Sequence, residues 1–188
     1  MCISALIAAG LLVAQAPAPP PSVHPGLVRV TTETPEARAN WERRLARMVR
    51  TGALKVREQQ QTPGATTRDE WLVQLHRGVP VVGAEVWRRL DGATLSSAEG
   101  TIYEKIAIHP VPKLTRDEAR DAVIALTPGS VGPGRRPELM VLPVADGKYV
   151  LVYRSRVFDG TTLTTLYVDA STGAVVLSED AMPPPAAQ

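Results

Sequence analysis

Two amphipathic helix signals, each opened by a threonine and each followed only by strand-like segments, constrain the fold of this chain more than any other feature. The first opens at Thr34-Pro35-Glu36. Thr34 can cap, Pro35 suits the first helical position because its missing N–H would be unsatisfied there, and Glu36 favours the positive end of the helix dipole. Trp41, Leu45, Met48 and Val49 then recur on one face, and Gly52 supplies the stop. The second opens at Leu114-Thr115-Arg116-Asp117-Glu118, where Thr115 and Glu118 have the spacing of a reciprocal capping box and Leu114 can staple against Ala119. Ala119, Ala122, Val123 and Leu126 form its apolar stripe, which ends at Thr127-Pro128-Gly129.

Strand character follows each helix. Residues 53–58, 70–75, 79–90 and the segment from Ala93 onward follow the first, with Asp91-Gly92 as a hairpin turn. Residues 139–144, 149–157, 162–168 and 174–177 follow the second, separated by Asp146-Gly147, Asp159-Gly160 and the turn from Asp169 to Gly173. Gly78-Val79-Pro80 predicts a bend, since proline in a strand pattern fits an edge, a strand start or a bulge. The expected fold class is α+β: two small modules, each an antiparallel sheet with a helix packed on one face. Trp71 and Trp87 read as core anchors. Arg38, Arg43, Arg44, Arg47 and Arg50, interleaved with Glu36 and Glu42, read as a solvated helix face.

Composition narrows the function classes. The chain has 188 residues, 44% of them hydrophobic, enough apolar mass for one or two small cores. Its 21 Lys and Arg are nearly balanced by 19 Asp and Glu, so charge does not indicate nucleic acid. A single cysteine, Cys2, excludes an intrachain disulfide, and with three scattered histidines it cannot build a four-ligand structural zinc site. The apolar run from Ile3 to Val13, followed by Ala14-Gln15-Ala16, reads as an export signal too short to span a membrane, although no Lys or Arg precedes it. Secreted or periplasmic localisation is expected, with no transmembrane span once the signal is removed. The Pro/Ala-rich stretch that follows reads as an extended linker.

The segment Gln74-Leu75-His76-Arg77-Gly78-Val79-Pro80-Val81-Val82-Gly83-Ala84-Glu85-Val86 resembles the core motif of the fungalysin/thermolysin propeptide (FTP) domain. It departs from that pattern at Val82, where Phe is more usual, and at His76, where an aromatic is common. The second unit resembles a PepSY domain through its helix start and through the closing hairpin Leu166-Tyr167-Val168-Asp169-Ala170-Ser171-Thr172-Gly173-Ala174-Val175-Val176. In this order the two resemble the pro-region of thermolysin-like zinc metalloproteases. The resemblance implies a non-catalytic inhibitor and folding assistant whose partner is the catalytic domain of such a protease, with no cofactor and no metal. The alternative is an envelope-associated PepSY-type interaction module without a protease partner.

The domains expected on this basis are a signal peptide over 1–16, a linker over 17–26, an FTP-like domain over 27–110, a PepSY-like domain over 111–180 and a disordered tail over 181–188. Gln74, Gly78, Pro80, Gly83, Asp169 and Gly173 are the candidate motif residues, most of them architectural. Gln74 should find a hydrogen-bond partner if buried. No histidine is followed by Glu, so the His-Glu-x-x-His helix of the protease itself is absent. His76 with Asp69 and Glu70 does not define a nucleophile, base and orienter. Gly132-Pro133-Gly134-Arg135-Arg136 lacks the Gly-Lys-Ser/Thr element of a phosphate loop and reads as solvated. The Asp169 turn lacks the other acidic positions of a calcium loop. A detached pro-domain, a fragment of a longer precursor and a repurposed binding module all remain open.

Overall fold

Thr34 starts the first helix as its residue type predicts: its hydroxyl accepts a hydrogen bond from the Ala37 N–H at 3.1 Å, and Pro35 follows at the first helical position. The second helix has the full capping box, with the Thr115 hydroxyl accepting from the Glu118 N–H and the Glu118 carboxylate accepting from the Thr115 N–H. The computed structural model describes residues 24–127, 136–158, 160 and 162–181. The expected signal, most of the linker and nearly all of the tail lie outside them. In chain order the elements are β1 (Leu27–Val30), α1 (Pro35–Arg50), β2 (Leu54–Gln61), β3 (Thr67–His76), β4 (Val79–Asp91) and β5 (Thr94–Tyr103). They continue with α2 (Arg116–Leu126), β6 (Glu138–Pro143), β7 (Tyr149–Phe158), β8 (Leu163–Asp169) and β9 (Val175–Ala181). No helix among the described residues is long and apolar enough to cross a membrane.

Each helix covers its own core. Leu45 of α1, fully buried, packs with Trp41, Met48 and Val49 onto Leu54, Leu72, Val86 and Ile102 of the first half. Ala119 and Val123 of α2 pack onto Val141, Leu151, Tyr153 and Val168 of the second. The expected pairing of helix with sheet is therefore present, and α+β is the fold class.

The expectation of two separate antiparallel sheets is corrected. The nine strands among the described residues form one mixed sheet, because β4 is hydrogen-bonded both to the first half and, in parallel at Val81↔Val141, to β6. Strand length explains this. β4 runs for 13 residues, and β5 pairs only with Val86–Asp91 of it, so the earlier half of β4 has an edge to offer.

To reach β6, β4 must leave β3. The β3–β4 ladder runs Leu75↔Pro80 and then resumes at Val73↔Glu85, so residues 81–84 swing out opposite Gln74. Gly83 turns the chain there with φ +70°. The departure strips Tyr103, at the end of β5, of the neighbour its peptide group would have had. Gln74 fills that place: its Oε1 accepts from the Tyr103 N–H at 2.8 Å and its Nε2 donates to the Tyr103 carbonyl at 2.7 Å. A side-chain carboxamide thus does the pairing of a strand peptide, and the buried glutamine has the partner its type demands. Gly100 allows the remaining approach, since a Cβ there would lie 2.2 Å from the Glu85 carbonyl oxygen.

The junction is closed by three further contacts. The Tyr149 hydroxyl donates to the Glu104 carbonyl at 2.8 Å, and His24 packs between the rings of Tyr103 and Tyr149. His76 Nε2 lies 2.9 Å from the Ile108 carbonyl and pins the connection between the halves. The Ala170 carbonyl accepts from both the Lys113 and Leu114 N–H groups, setting the entry to α2.

Glu70 is buried on the α1 side of β3 between two arginines, with Arg88 at 2.6 Å and Arg68 at 2.8 Å. Burial alone would raise its pKa; the hydrogen bonds from Arg68 and Arg88 outweigh that and hold it below the ordinary 4.5. Because the folded pKa is depressed, the stabilisation is complete above 4.5 and lost as pH falls through the lower folded value. Glu70→Gln is therefore expected to cost about 3 kcal/mol in urea unfolding at neutral pH, with the deficit shrinking in acid below the free carboxyl range. A deficit independent of pH would contradict this. Gln74→Leu, close in volume but unable to pair, is expected to cost about 3 kcal/mol by leaving the Tyr103 N–H and carbonyl unpaired. A loss below about 1 kcal/mol would mean that the peptide is satisfied otherwise.

Candidate functional site

With both helices on the opposite side, the first half leaves one sheet face open, and period-two alternation decides what it shows. Leu72 and Val86 point to α1, so Trp71 and Trp87 point away from it. They stand directly opposite each other across β3 and β4, and Trp71 is 42% exposed. Their expected role as core anchors is corrected. Apolar residues occupy consecutive positions Trp71-Leu72-Val73, so alternation within the strand did not say which face was inner.

Trp71 and Trp87 border a hollow of about 500 Å³ with Gly83, Glu85 and Gly100. The Arg89 guanidinium lies 5.2 Å from the centre of the Trp87 ring and forms two hydrogen bonds with Asp69, at 2.7 and 2.9 Å. The bond from Arg89 holds the Asp69 carboxyl below its ordinary range. Large rigid rings stiffened by a stacked, paired arginine are the side chains that most often anchor protein interfaces.

Gly83 and Glu85 also border a second, larger hollow of about 580 Å³, which adjoins the first at these two residues. This groove lies where the open faces of the two halves meet. Pro80 and Val82 of β4 line it from one side, Met140 of β6 and Tyr167 of β8 from the other. Met140, Tyr167 and Val82 belong to a small apolar cluster on the side of the second half away from α2. Cations stand at its edge: Lys55, Arg57 at the β2 bulge, and Arg154. Arg57 lies 3.7 Å from Glu85, and Arg154 Nη2 donates to Glu138 at 2.5 Å.

The candidate motif residues divide into two groups. Gly78, Pro80 and Gly83 all line the groove, and Gln74 sits behind it on the Tyr103 peptide. Arg77 and Gly78 form the two-residue turn between β3 and β4, with φ of 49° and 87°. Asp169 and Gly173 lie elsewhere, in the β8–β9 turn. Asp169 Oδ1 accepts from the Ser171 and Thr172 N–H groups at 2.8 and 2.9 Å, so its oxygen is committed to the turn. A Cβ on Gly173 would meet Ala122 and Leu114 at 3.3 and 3.5 Å, which seats the turn against the start of α2.

Among the described residues, no group of three or more His, Cys, Asp or Glu side chains could hold a metal ion. His76 is bonded to the Ile108 carbonyl and Asp69 to Arg89, so they do not converge on a common point of reaction. Sequence reading missed Met140, Tyr167 and Arg154, whose nearness to the motif depends on the β4–β6 pairing. The arrangement is suited to holding another chain: an apolar floor, aromatic anchors and a charged margin.

No family model and no curated protein matches the chain. Among solved structures it is similar to the Bacillus megaterium YpeB C-terminal domain, at 14% identity and a TM-score of 0.43, over 79% of this chain and 65% of that one. The chain thus spans less than two thirds of the length of that structure.

Proposed function

We propose that the chain is a non-catalytic binding protein of the pro-domain type, an inhibitor and folding assistant of a secreted thermolysin-like zinc metalloprotease. In this reading residues 27–110 are the FTP-like domain and 111–180 the PepSY-like domain. The observation that carries it is the position of Gly78, Pro80 and Gly83. The segment with the family likeness is also the one that forms the groove and borders the tryptophan hollow. Conformation-fixing residues at that point give a partner a surface already in shape, which lowers the ordering cost of docking. An interface of standard size, roughly 1,600 Å² in total, needs an extended face of this kind.

Inhibition of a purified thermolysin-like protease by the chain from Ala18 onward, titrated to saturation with the inhibitor checked for cleavage, tests the proposal. Saturable inhibition by intact chain is expected. Trp71→Ala should weaken it by about tenfold or more, as loss of a central aromatic does, while Arg47→Ala on the far side of α1 leaves it unchanged. Degradation of the chain without inhibition across several such proteases would reject the protease partner and favour the PepSY-type interaction module.

A further inference from the structure

The strands of the first half present their outward side chains in rows across the sheet, and two neighbouring rows end in opposite charges. Glu58 stands directly opposite Trp71, Trp71 opposite Trp87, and Trp87 opposite Glu99, so the tryptophan pair has a carboxylate at each end of its row. In the next row toward the groove, Lys55 stands opposite Val73 and Val73 opposite Glu85. Thr101 of β5 and its partner Arg29 of β1 continue that row. Val28, Val30, Val56 and Ala98 pack into the α1 core, so their neighbours Arg29, Lys55 and Glu99 point the other way. Glu58, Glu99, Lys55 and Arg29 are exposed, and among the described residues none of the four has an ion-pair partner.

The two rows are complementary to each other. A two-fold axis in the plane of the face, running across the strands midway between the rows, lays the tryptophan row of one chain over the neighbouring row of a second copy without exchanging their ends. Glu58 then meets the copy's Lys55, and Glu99 meets the copy's Arg29, each contact occurring twice by symmetry. Trp71 and Trp87 meet the copy's Val73 and its Arg57–Glu85 pair, in which the guanidinium is held 3.7 Å from the carboxylate and offers the rings a cation. Other two-fold registers fail: an axis along the tryptophan row sets Glu58 against Glu58, and an axis along the strands sets Glu58 against Glu99. The favoured axis passes at the level of Leu72, near the middle of β3, so the two faces overlap along its length. Four strands of 8 to 13 residues, about 4.8 Å apart, cover roughly 600 Å² in projection, and side-chain relief brings this toward the roughly 800 Å² per partner of a stable interface.

We propose that the open face of the first half is a self-association surface, on which two copies of this chain pack sheet against sheet as a two-fold dimer. The tryptophan pairs supply its apolar centre, and Glu58 with Lys55 and Glu99 with Arg29 fix its register from the margin. Asp69 and Glu85 are already balanced by Arg89 and Arg57, and the four remaining charges cancel, so the centre of the face is neutral. A neutral face with alternating charged rows fits a copy of itself better than a strongly acidic or basic partner. The inference does not rest on the protease reading, because it concerns the chain alone. In either reading a second copy hides the tryptophans from any other partner.

Sedimentation equilibrium of the chain from Ala18 onward, at rising concentration, tests the proposal. A reversible monomer–dimer equilibrium is expected in the wild type. Lys55→Glu and Glu58→Lys each set like charges together twice in the dimer, so each should weaken association by about tenfold or more. The double variant Lys55→Glu with Glu58→Lys exchanges the signs and restores the attraction, so it should recover the wild-type affinity. All these positions are exposed, and circular dichroism checks that each variant is folded. Trp71→Ala should also weaken the dimer, whereas Arg47→Glu on the far side of α1 should not. A chain that stays monomeric at every concentration would overturn the surface. So would a dimer equally strong in both single variants, or one that the double variant fails to restore.

Discussion

The pairing of the Gln74 carboxamide with the Tyr103 peptide is the contact on which the architecture depends. One strand, β4, serves both halves of the molecule, and a strand that changes neighbours leaves peptide groups behind it. Left unpaired there, the Tyr103 N–H and carbonyl would each cost about 1–3 kcal/mol of desolvation. Gln74 has a donor and an acceptor at the reach of a peptide and stands opposite the excursion, so the departure carries no such penalty. Gly83 supplies the bend and Gly100 the close approach to Glu85. A small set of residues thereby turns two helix-on-sheet units into one mixed sheet.

That joining also creates the surface. Both helices occupy the opposite side, so the open faces of the two halves meet in a crook floored by β4. The tryptophan hollow and the apolar groove adjoin along it, with Gly83 and Glu85 in the lining of both. The pairs Arg57 with Glu85, Arg154 with Glu138 and Arg89 with Asp69 line the route. Exposed pairs of this sort add little to stability and act chiefly in choosing and orienting partners.

Local signals were legible in the sequence and long-range ones were not. Thr34, Pro35, Thr115 and Glu118 announced both helices because capping involves residues three positions apart. The Asp169 turn was legible for the same reason. β1 was not foreseen: four residues following a proline-rich stretch carry too little pattern, and its existence depends on pairing with β5. The need of Gln74 for a partner followed from its type, but Tyr103 lies 29 residues away and no spacing rule names it. The Gly132–Arg136 segment read as a solvated loop; Gly132 to Arg135 lie outside the described residues, while Arg136 is exposed just before β6.

The shared strand makes one cooperative body of the two halves, and urea unfolding followed by two probes is the sharpest test of that. The three tryptophans, Trp41, Trp71 and Trp87, all belong to the first half, so their fluorescence reports that half alone. Amide exchange at Val141 and Val152, buried in the second half, reports the other. A shared β4 predicts coincident transitions in the wild type. Separate midpoints, with the second half persisting after the tryptophans are exposed, would mean that the Val81↔Val141 pairing is a contact between independent units and that β4 does not unite them.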